Sequence, residues 1–365
     1  MSSDAIAPHL HCAGAHAVPQ VPWRRTIARV TALPPDAPSH ATKSAARGAV
    51  YVIAGAALFG INGSVAKVVI GAGISPAQLT FFRVLSTALI AGAVLLVSDR
   101  SQFRPSGRQL ANLAALGIGG LAMIQWLYAV AISILPVGVA LLIEYTAVVL
   151  VALAAWLIFN ERVHPRLWLA IGAVLVGLAI VAQVWDSQLR LLGVVAAFGA
   201  AVTYAFYFIM GERVVASMPA MAVAFWASVF ATAFWGVFSA WWSVDPSTLA
   251  SRVSLSGTLD SVVVPVWLPL LFVITLGAFA PFVLIFTALG HLSATAVGIL
   301  ASSEVLFAFI VAWAWLGEKL TPLQVAGATL VLVGIVIAQT ARSQVPANDL
   351  GDPQDATVEA PPAVP

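Results

Sequence analysis

The sequence predicts an all-α polytopic membrane protein of about ten transmembrane helices, arranged as two inverted five-helix repeats. Three observations lead there. Apolar residues make up 61% of the 365 residues and charged residues only 9%, against roughly a quarter charged in an ordinary soluble domain. Apolar stretches of roughly 20 residues, the length that crosses about 30 Å of hydrocarbon, recur from Ala49 to Thr340. The second half of the chain also repeats landmarks of the first. Backbone N–H and C=O groups find no water in a bilayer, so apolar runs of this length must span as helices, and strand barrels are excluded.

The spans read in order as Ala49 to Ile70, Pro76 to Ser98, Leu110 to Ser133, Pro136 to Phe159 and Pro165 to Gln183 in the first half. The second half gives Leu191 to Met210, Pro219 to Trp242, Val266 to Leu289, Ser293 to Leu316 and Pro322 to Thr340. Proline opens several of them, at a position where its missing N–H costs nothing. Ser243 to Pro265 is the one long loop. Trp241, Trp242 and Trp267 stand at span ends, as an interfacial aromatic belt requires. Residues 1–48 and 342–365 mix Pro, Ala, Ser and polar residues without an apolar run, a composition unable to bury a core, and are expected to be disordered tails. His9, His11, Cys12 and His16 have no closing ligand pair, so the tail is read as solvated and no metal or other cofactor is expected. Arg24, Arg25 and Arg29 give the tail a transit-peptide flavour, but no apolar h-region of a secretory signal precedes the first span.

Orientation follows from Lys and Arg, which favour the cytoplasmic side. With the N-terminus inside, that side holds Lys43, Arg47, Arg100, Arg104, Arg108, Arg162, Arg166, Arg213 and Arg342, while the other keeps only Arg190, Arg252 and Lys319. The expectation is a multi-pass protein of the plasma membrane, the inner membrane of a bacterium, with both termini cytoplasmic. A net charge of +2, scattered among loops, is no nucleic-acid footprint.

Setting Leu135 against Leu292 and sliding without a gap pairs Trp156 with Trp313, Glu161 with Glu318 and Pro165 with Pro322. It also pairs Val174-Leu175-Val176-Gly177 with Val331-Leu332-Val333-Gly334. Residues 49–183 are therefore a first repeat and 190–341 a second. Five spans is an odd number, so the second copy enters from the opposite face. Secondary transporters are commonly built this way, around a site near the bilayer midplane; some channels are too.

The stretches Pro76 to Arg83 (PAQLTFFR), Ala140 to Pro165 (ALLIEYTAVVLVALAAWLIFNERVHP) and Thr295 to Gly334 (TAVGILASSEVLFAFIVAWAWLGEKLTPLQVAGATLVLVG) carry a resemblance. Over about residues 49–341 the chain resembles the EamA-like branch of the drug/metabolite transporter superfamily, most specifically in the paired Gly/Asn-Glu-x-x-x-Pro ends of the fourth and ninth spans. The resemblance implies a ten-helix inverted repeat around a central cavity, and export of amino acids, metabolites or drugs. Glu144 and Glu304 resemble the glutamates of threonine/homoserine-type exporters. Those relatives tend to carry proline shortly after each glutamate. Val148 and Val305 stand there in this chain, so the helix break that proline gives is expected to be absent.

Four charges lie within apolar spans: Lys67, Arg83, Glu144 and Glu304. Each costs about 2.5 to 3.5 kcal/mol at a helix centre and so needs a partner, a wet cavity or neutralisation. Lys67 is one turn from a span end and is expected to snorkel to the outer interface. Arg83 enters about 10 Å and Glu144 about 12 Å from that face, matching depths that permit an ion pair, either static or gating. Glu304 sits about 17 Å from the inner face with no basic residue at its level. Desolvation favours the neutral form of an unpaired carboxyl, the property a proton-coupled carrier uses. Glu304 is read as the proton site, and Glu144 as sharing that work or binding substrate; a protonated Glu304 merely hydrogen-bonded to Ser302, Ser303 or a neighbouring helix is the plainer reading. Asn62, Gln125, Trp126, Tyr145, Tyr204, Tyr207, Ser302 and Ser303 join Arg83 and the two glutamates as expected cavity walls, because intramembrane polar groups usually face the bundle.

The function expected is a secondary active transporter, a proton-coupled exporter of a small metabolite such as an amino acid. Export of cationic or aromatic drugs, and passive facilitation, are the alternatives. An intramembrane enzyme would need paired aspartates, a zinc-binding His pair or a Ser with a His at membrane depth. None is present in the spans, and His164 and His291 fall in loops. The partners implied are a small-molecule substrate, the lipid bilayer and protons, with no nucleic acid; the weakly polar fifth and tenth spans offer a face for a homodimer.

Overall fold

The computed structural model describes residues 38–98, 100–159, 165–181, 191–215, 218–292 and 294–342. The tail groups His9, His11, Cys12, His16, Arg24, Arg25 and Arg29, and the loop residues Glu161, Arg162, His164 and Arg190, lie outside them. The chain divides into a short unit, residues 1–43, and the body, residues 44–365.

The fold is a repeat-based helical bundle. In the first half, α1 is Pro38–Gly71, α2 Pro76–Ser98, α3 Gly107–Ala115 and α4 Met123–Ile134, the last two joined by a π-helical turn, Leu116–Ala122. There follow α5 Val137–Glu144, α6 Ala147–Phe159 and α7 Pro165–Val181. In the second half, α8 is Leu191–Val215, α9 Ala220–Phe238, α10 Pro246–Ala250, α11 Trp267–Ile274 and α12 Phe279–Leu289. The chain closes with α13 Ala294–Ala301, α14 Ser303–Ala314 and α15 Pro322–Arg342. Eight helical segments among the described residues are long and apolar enough to cross a bilayer, and Trp168–Val181 and Pro322–Ala338 are shorter apolar helices. The expected disordered tail is corrected over residues 38–48, which are already helical. Ala41, Ala45 and Ala46 are strong helix formers, so α1 extends past its apolar window.

Helix starts follow local chemistry. Ser75 and Gln78 exchange hydrogen bonds ahead of Pro76, from Ser75 N–H to Gln78 Oε1 (2.9 Å) and from Gln78 N–H to Ser75 Oγ (3.3 Å). Thr321 and Gln324 do the same around Pro322, at 3.0 and 3.2 Å. Each box satisfies two N–H groups that a helix start leaves orphaned, with proline placed where it gives up nothing.

Four spans are interrupted, and the interruptions obey the repeat. The fourth span breaks at Tyr145 and Thr146 and the ninth at Ser302, correcting the expectation that without proline no break occurs. Hydroxyls make it instead. Thr146 Oγ1 donates back to Ile143 O (2.7 Å) and Ser303 Oγ to Leu300 O (2.6 Å), and Thr146 N–H bonds Ile143 O rather than the carbonyl four residues back (3.1 Å). A side chain competing for the backbone in this way bends a helix. Thr146 and Ser303 are partners in the gapless register that pairs Leu135 with Leu292. The same register sets the π turn of the third span against the gap between α11 and α12 in the eighth. There Ser86 Oγ takes up the freed Ile274 carbonyl.

The two halves meet through equivalent helices. At α7 and α15, a Cβ on Gly177 would lie 2.7 Å from Val331 Cγ2, and one on Gly334 would lie 2.7 Å from Val174 Cγ2. Val174 precedes Gly177 but touches the later Gly334, so the two helices run antiparallel. Because Val174 corresponds to Val331 and Gly177 to Gly334, the contact is its own image under exchange of the repeats. Antiparallel equivalents are what inverted copies give. Gly177 of the fifth span and Gly327 and Gly334 of the tenth thus lie in the seam between these two helices, while Gly172 faces outward. Gly177→Ala would press a methyl against the Gly327 carbonyl at 2.7 Å. Backbone cannot give as a side chain does, so the expected loss is about 1–3 kcal/mol, seen as a lower Tm in detergent.

The long loop is folded rather than open. β1, Arg252–Ser254, pairs antiparallel with β2, Val263–Pro265, with Val253 opposite Val264. Thr258 donates from N–H to Trp315 O (2.7 Å) and from Oγ1 to Ala314 O (2.9 Å), and Trp315 Nε1 donates to Leu255 O (3.0 Å). The hairpin therefore caps carbonyls that the end of α14 leaves without helical partners.

Candidate functional site

The interrupted helices surround one cavity of about 190 Å³. Each element presents a stripe at helical spacing: Arg83 and Thr87 from α2, Leu121, Ile124, Gln125 and Tyr128 from the third span, and Leu141, Glu144 and Tyr145 at the fourth-span break. Tyr204 and Tyr207 come from α8, Ala224 and Ser228 from α9, Ala278, Phe279 and Phe282 from the eighth span, and Glu304 from the first turn of α14. Asn62 and Phe59 complete the wall from α1. Both repeats contribute, so the site lies between them.

Of the residues expected in the cavity, Asn62, Arg83, Gln125, Glu144, Tyr145, Tyr204, Tyr207 and Glu304 line it. Trp126, Ser302 and Ser303 do not. Trp126 packs on Trp235 (ring centroids 5.4 Å apart), while Ser302 Oγ and Ser303 Oγ donate to Gly298 O and Leu300 O of their own span. Tyr128, Thr87, Ser228, Phe59, Phe279 and Phe282 escaped the sequence reading. Tyr128 stands three residues after Gln125 and Thr87 four after Arg83, so the helical period was the available signal.

Three readings of the intramembrane charges are corrected. Lys67 does not simply snorkel: its Nζ lies 2.7 Å from Glu318 Oε1 and donates to Leu135 O at 2.9 Å. A carboxylate within reach outcompetes exposure at the interface. Arg83 and Glu144 share the cavity but form no ion pair, and both are buried. Glu304 is not remote from positive charge, since Arg83 lines the same cavity, nor without a partner, since Tyr145 Oη donates to its Oε2 at 2.6 Å. Tyr145 also meets Tyr204 edge-on (6.5 Å, 85°), and Tyr204 stacks on Phe208 (4.5 Å, 22°), forming an aromatic wall behind the carboxylate.

Asn62 is held by a glycine opposite. A Cβ on Gly277, in the eighth-span break, would collide with Asn62 Oδ1. Only a bare backbone there admits the amide to the wall.

The pattern of unmet hydrogen bonds is the most informative feature. Among the described residues, seven buried side-chain polar atoms lack a partner, and five belong to cavity residues: Asn62 Oδ1, Arg83 Nε, Gln125 Oε1, Glu144 Oε2 and Ser228 Oγ. Each such group costs roughly 1–3 kcal/mol and is seldom tolerated singly. Five around one cavity set a guanidinium donor and carbonyl and carboxylate acceptors on the same wall. Among the described residues no group of three or more His, Cys, Asp or Glu could hold a metal ion.

Comparison with known proteins bears on the whole arrangement. The profile of the EamA-like transporter family matches residues 46–183 and again 191–340. A probable 4-amino-4-deoxy-L-arabinose-phosphoundecaprenol flippase subunit, ArnE, of Salmonella paratyphi C is 34% identical over 102 residues, covering 27% of this chain and 90% of its own. An uncharacterized transporter of Synechocystis sp. is 31% identical over 103 residues, 27% of this chain and 31% of its own. A solved crystal structure with 19% identity superposes at a TM-score of 0.52 over 83% of this chain and 99% of the other, a likeness of fold.

Proposed function

Because the chain belongs to the EamA-like transporter family and is a membrane transporter of the drug/metabolite type, we propose that it exchanges protons for a small zwitterionic metabolite such as an amino acid. In this reading it works as an exporter in a bacterial inner membrane, with both termini cytoplasmic. The observation that carries it is the set of five unpartnered polar atoms around a cavity lined by both repeats. Arg83 Nε would hold the substrate's anionic group. Asn62, Gln125 and Glu144 would accept from its ammonium group, and the tyrosines would take its apolar part.

Glu304 is the proton site in this scheme, with Glu144 sharing the task when substrate is absent. The Tyr145 hydroxyl, 2.6 Å from Glu304 Oε2, supports the reading, because it gives the carboxylate one fixed donor and leaves the other oxygen for a proton. Carriers of this architecture expose one central site to the two faces in turn by rocking one repeat on the other. The repeats are taken as residues 49–183 and 190–341. The ArnE relative's named cargo joins an amino group to a phosphate, which agrees with a site for both signs of charge.

The test is counterflow in proteoliposomes. Purified protein loaded with unlabelled amino acid should take up the labelled compound in exchange, and an outward proton gradient should change the net flux. A panel of zwitterionic metabolites that gives no exchange above protein-free liposomes would sink the proposal.

A further inference from the structure

Outside the cavity, one cluster ties the two repeats together. Lys67 is near the end of α1, Leu135 and Val137 flank the junction of the third and fourth spans, and Glu318 lies four residues past α14. Glu318 Oε1 takes the Lys67 ammonium (2.7 Å) and Oε2 accepts the Val137 N–H (2.9 Å), while Lys67 Nζ also donates to Leu135 O (2.9 Å). Val137 opens α5, so the carboxylate sits where a helix N-terminus favours negative charge. Both side chains are largely covered, at 30% and 15% exposed. The hairpin docks on Trp315 three residues before Glu318, on the same end of the bundle.

From this geometry we infer that Lys67 and Glu318 form a latch that closes one face of the transporter and must part for the cavity to open there. Lys67 lies five residues beyond Asn62 on α1, about 7.5 Å along the helix, so the pair sits just above the cavity wall. Lys67, Leu135 and Val137 belong to the first repeat and Glu318 to the second. Any rocking that separates the repeats at this end breaks two hydrogen bonds to one carboxylate, and rocking at the other end leaves them intact. The inference rests on the alternating-access reading above, and its test separates the two.

A single cysteine at Thr87, which lines the cavity, placed in a Cys12→Ser background, reports access of a membrane-impermeant maleimide in sealed vesicles of either orientation. Lys67→Met and Glu318→Gln should each speed labelling about tenfold from the Glu318 side alone, since about 1.4 kcal/mol of a lost closing contact is a factor of ten. The double variant should be no faster than either single, because both remove one interaction. Unchanged labelling in either single variant, or rates that multiply in the double, would overturn the latch. A second measurement covers misfolding: Lys67→Cys with Glu318→Cys, joined by a cleavable bifunctional thiol reagent, should lose counterflow and regain it on reduction. Full counterflow while joined would also overturn the latch. Absence of counterflow in the unaltered protein would instead refute the transport reading.

Discussion

Glu304→Gln is expected to abolish the coupling of flux to a pH gradient while leaving substrate exchange in place. If one proton is traded for one substrate molecule, a gradient of one pH unit stores about 1.4 kcal/mol and sustains about a tenfold concentration ratio. Glutamine keeps the size and the acceptor for the Tyr145 hydroxyl but cannot carry the proton, so the ratio should fall to about one. Counterflow needs no net proton movement and should survive. The measurement is accumulation of labelled substrate in proteoliposomes at imposed gradients of zero, one and two pH units. A Gln variant that still follows the gradient would remove Glu304 from the coupling step. Glu144→Gln made alongside separates the carboxylates: it should weaken binding more than coupling, because its Oε2 is unpartnered in the cavity whereas Glu304 already has a donor.

The second large effect is expected at Arg83. Its Nε is a buried donor without an acceptor, and the side chain is only 7% exposed. If the substrate's anionic group completes this site, Arg83→Met strips the buried partner from that anion. Truncating one side of such a pair costs roughly 2–5 kcal/mol, so the half-saturating substrate concentration should rise about 30-fold or more. A compound with the amine but no anionic group should be affected far less. Equal losses for both compounds would show that Arg83 serves packing and does not recognise charge.

How far the sequence foretold this arrangement depends on what kind of interaction each part rests on. The spans were legible because hydrocarbon imposes a length and an all-apolar composition on every crossing. Arg83, Glu144 and Glu304 were legible as neighbours of a cavity because a charge in hydrocarbon has few other places to go. The face of each helix was harder. Successive residues turn by about 100°, so with Gln125 on the cavity wall Trp126 points away, and Glu304 facing inward turns Ser303 and Ser302 toward their own backbone. Residue type alone gave no such phase.

The pairing of Lys67 with Glu318 joins positions 251 apart in the chain. Nothing local announces it, and only the packing of α1 against the end of the ninth span brings them together. The breaks at Thr146 and Ser302 were missed for a different reason. Proline declares a bend because its ring forbids the straight form, whereas a hydroxyl bends a helix only by winning a hydrogen bond that water or another side chain might have taken. Gly277 shows the same dependence on context, since its absence of a side chain matters only because Asn62 stands opposite.

The self-matching contact of Val174 and Gly177 with Val331 and Gly334 carries a consequence for symmetry. Two separate half-length chains meeting about that axis would build the same seam. One continuous chain holds the halves at equal number and leaves them free to differ in sequence. In the register that superposes the halves from the third span onward, Glu304 corresponds to Ala147 and Glu144 to Ala301. The scaffold is symmetric while the chemistry at its centre is one-sided.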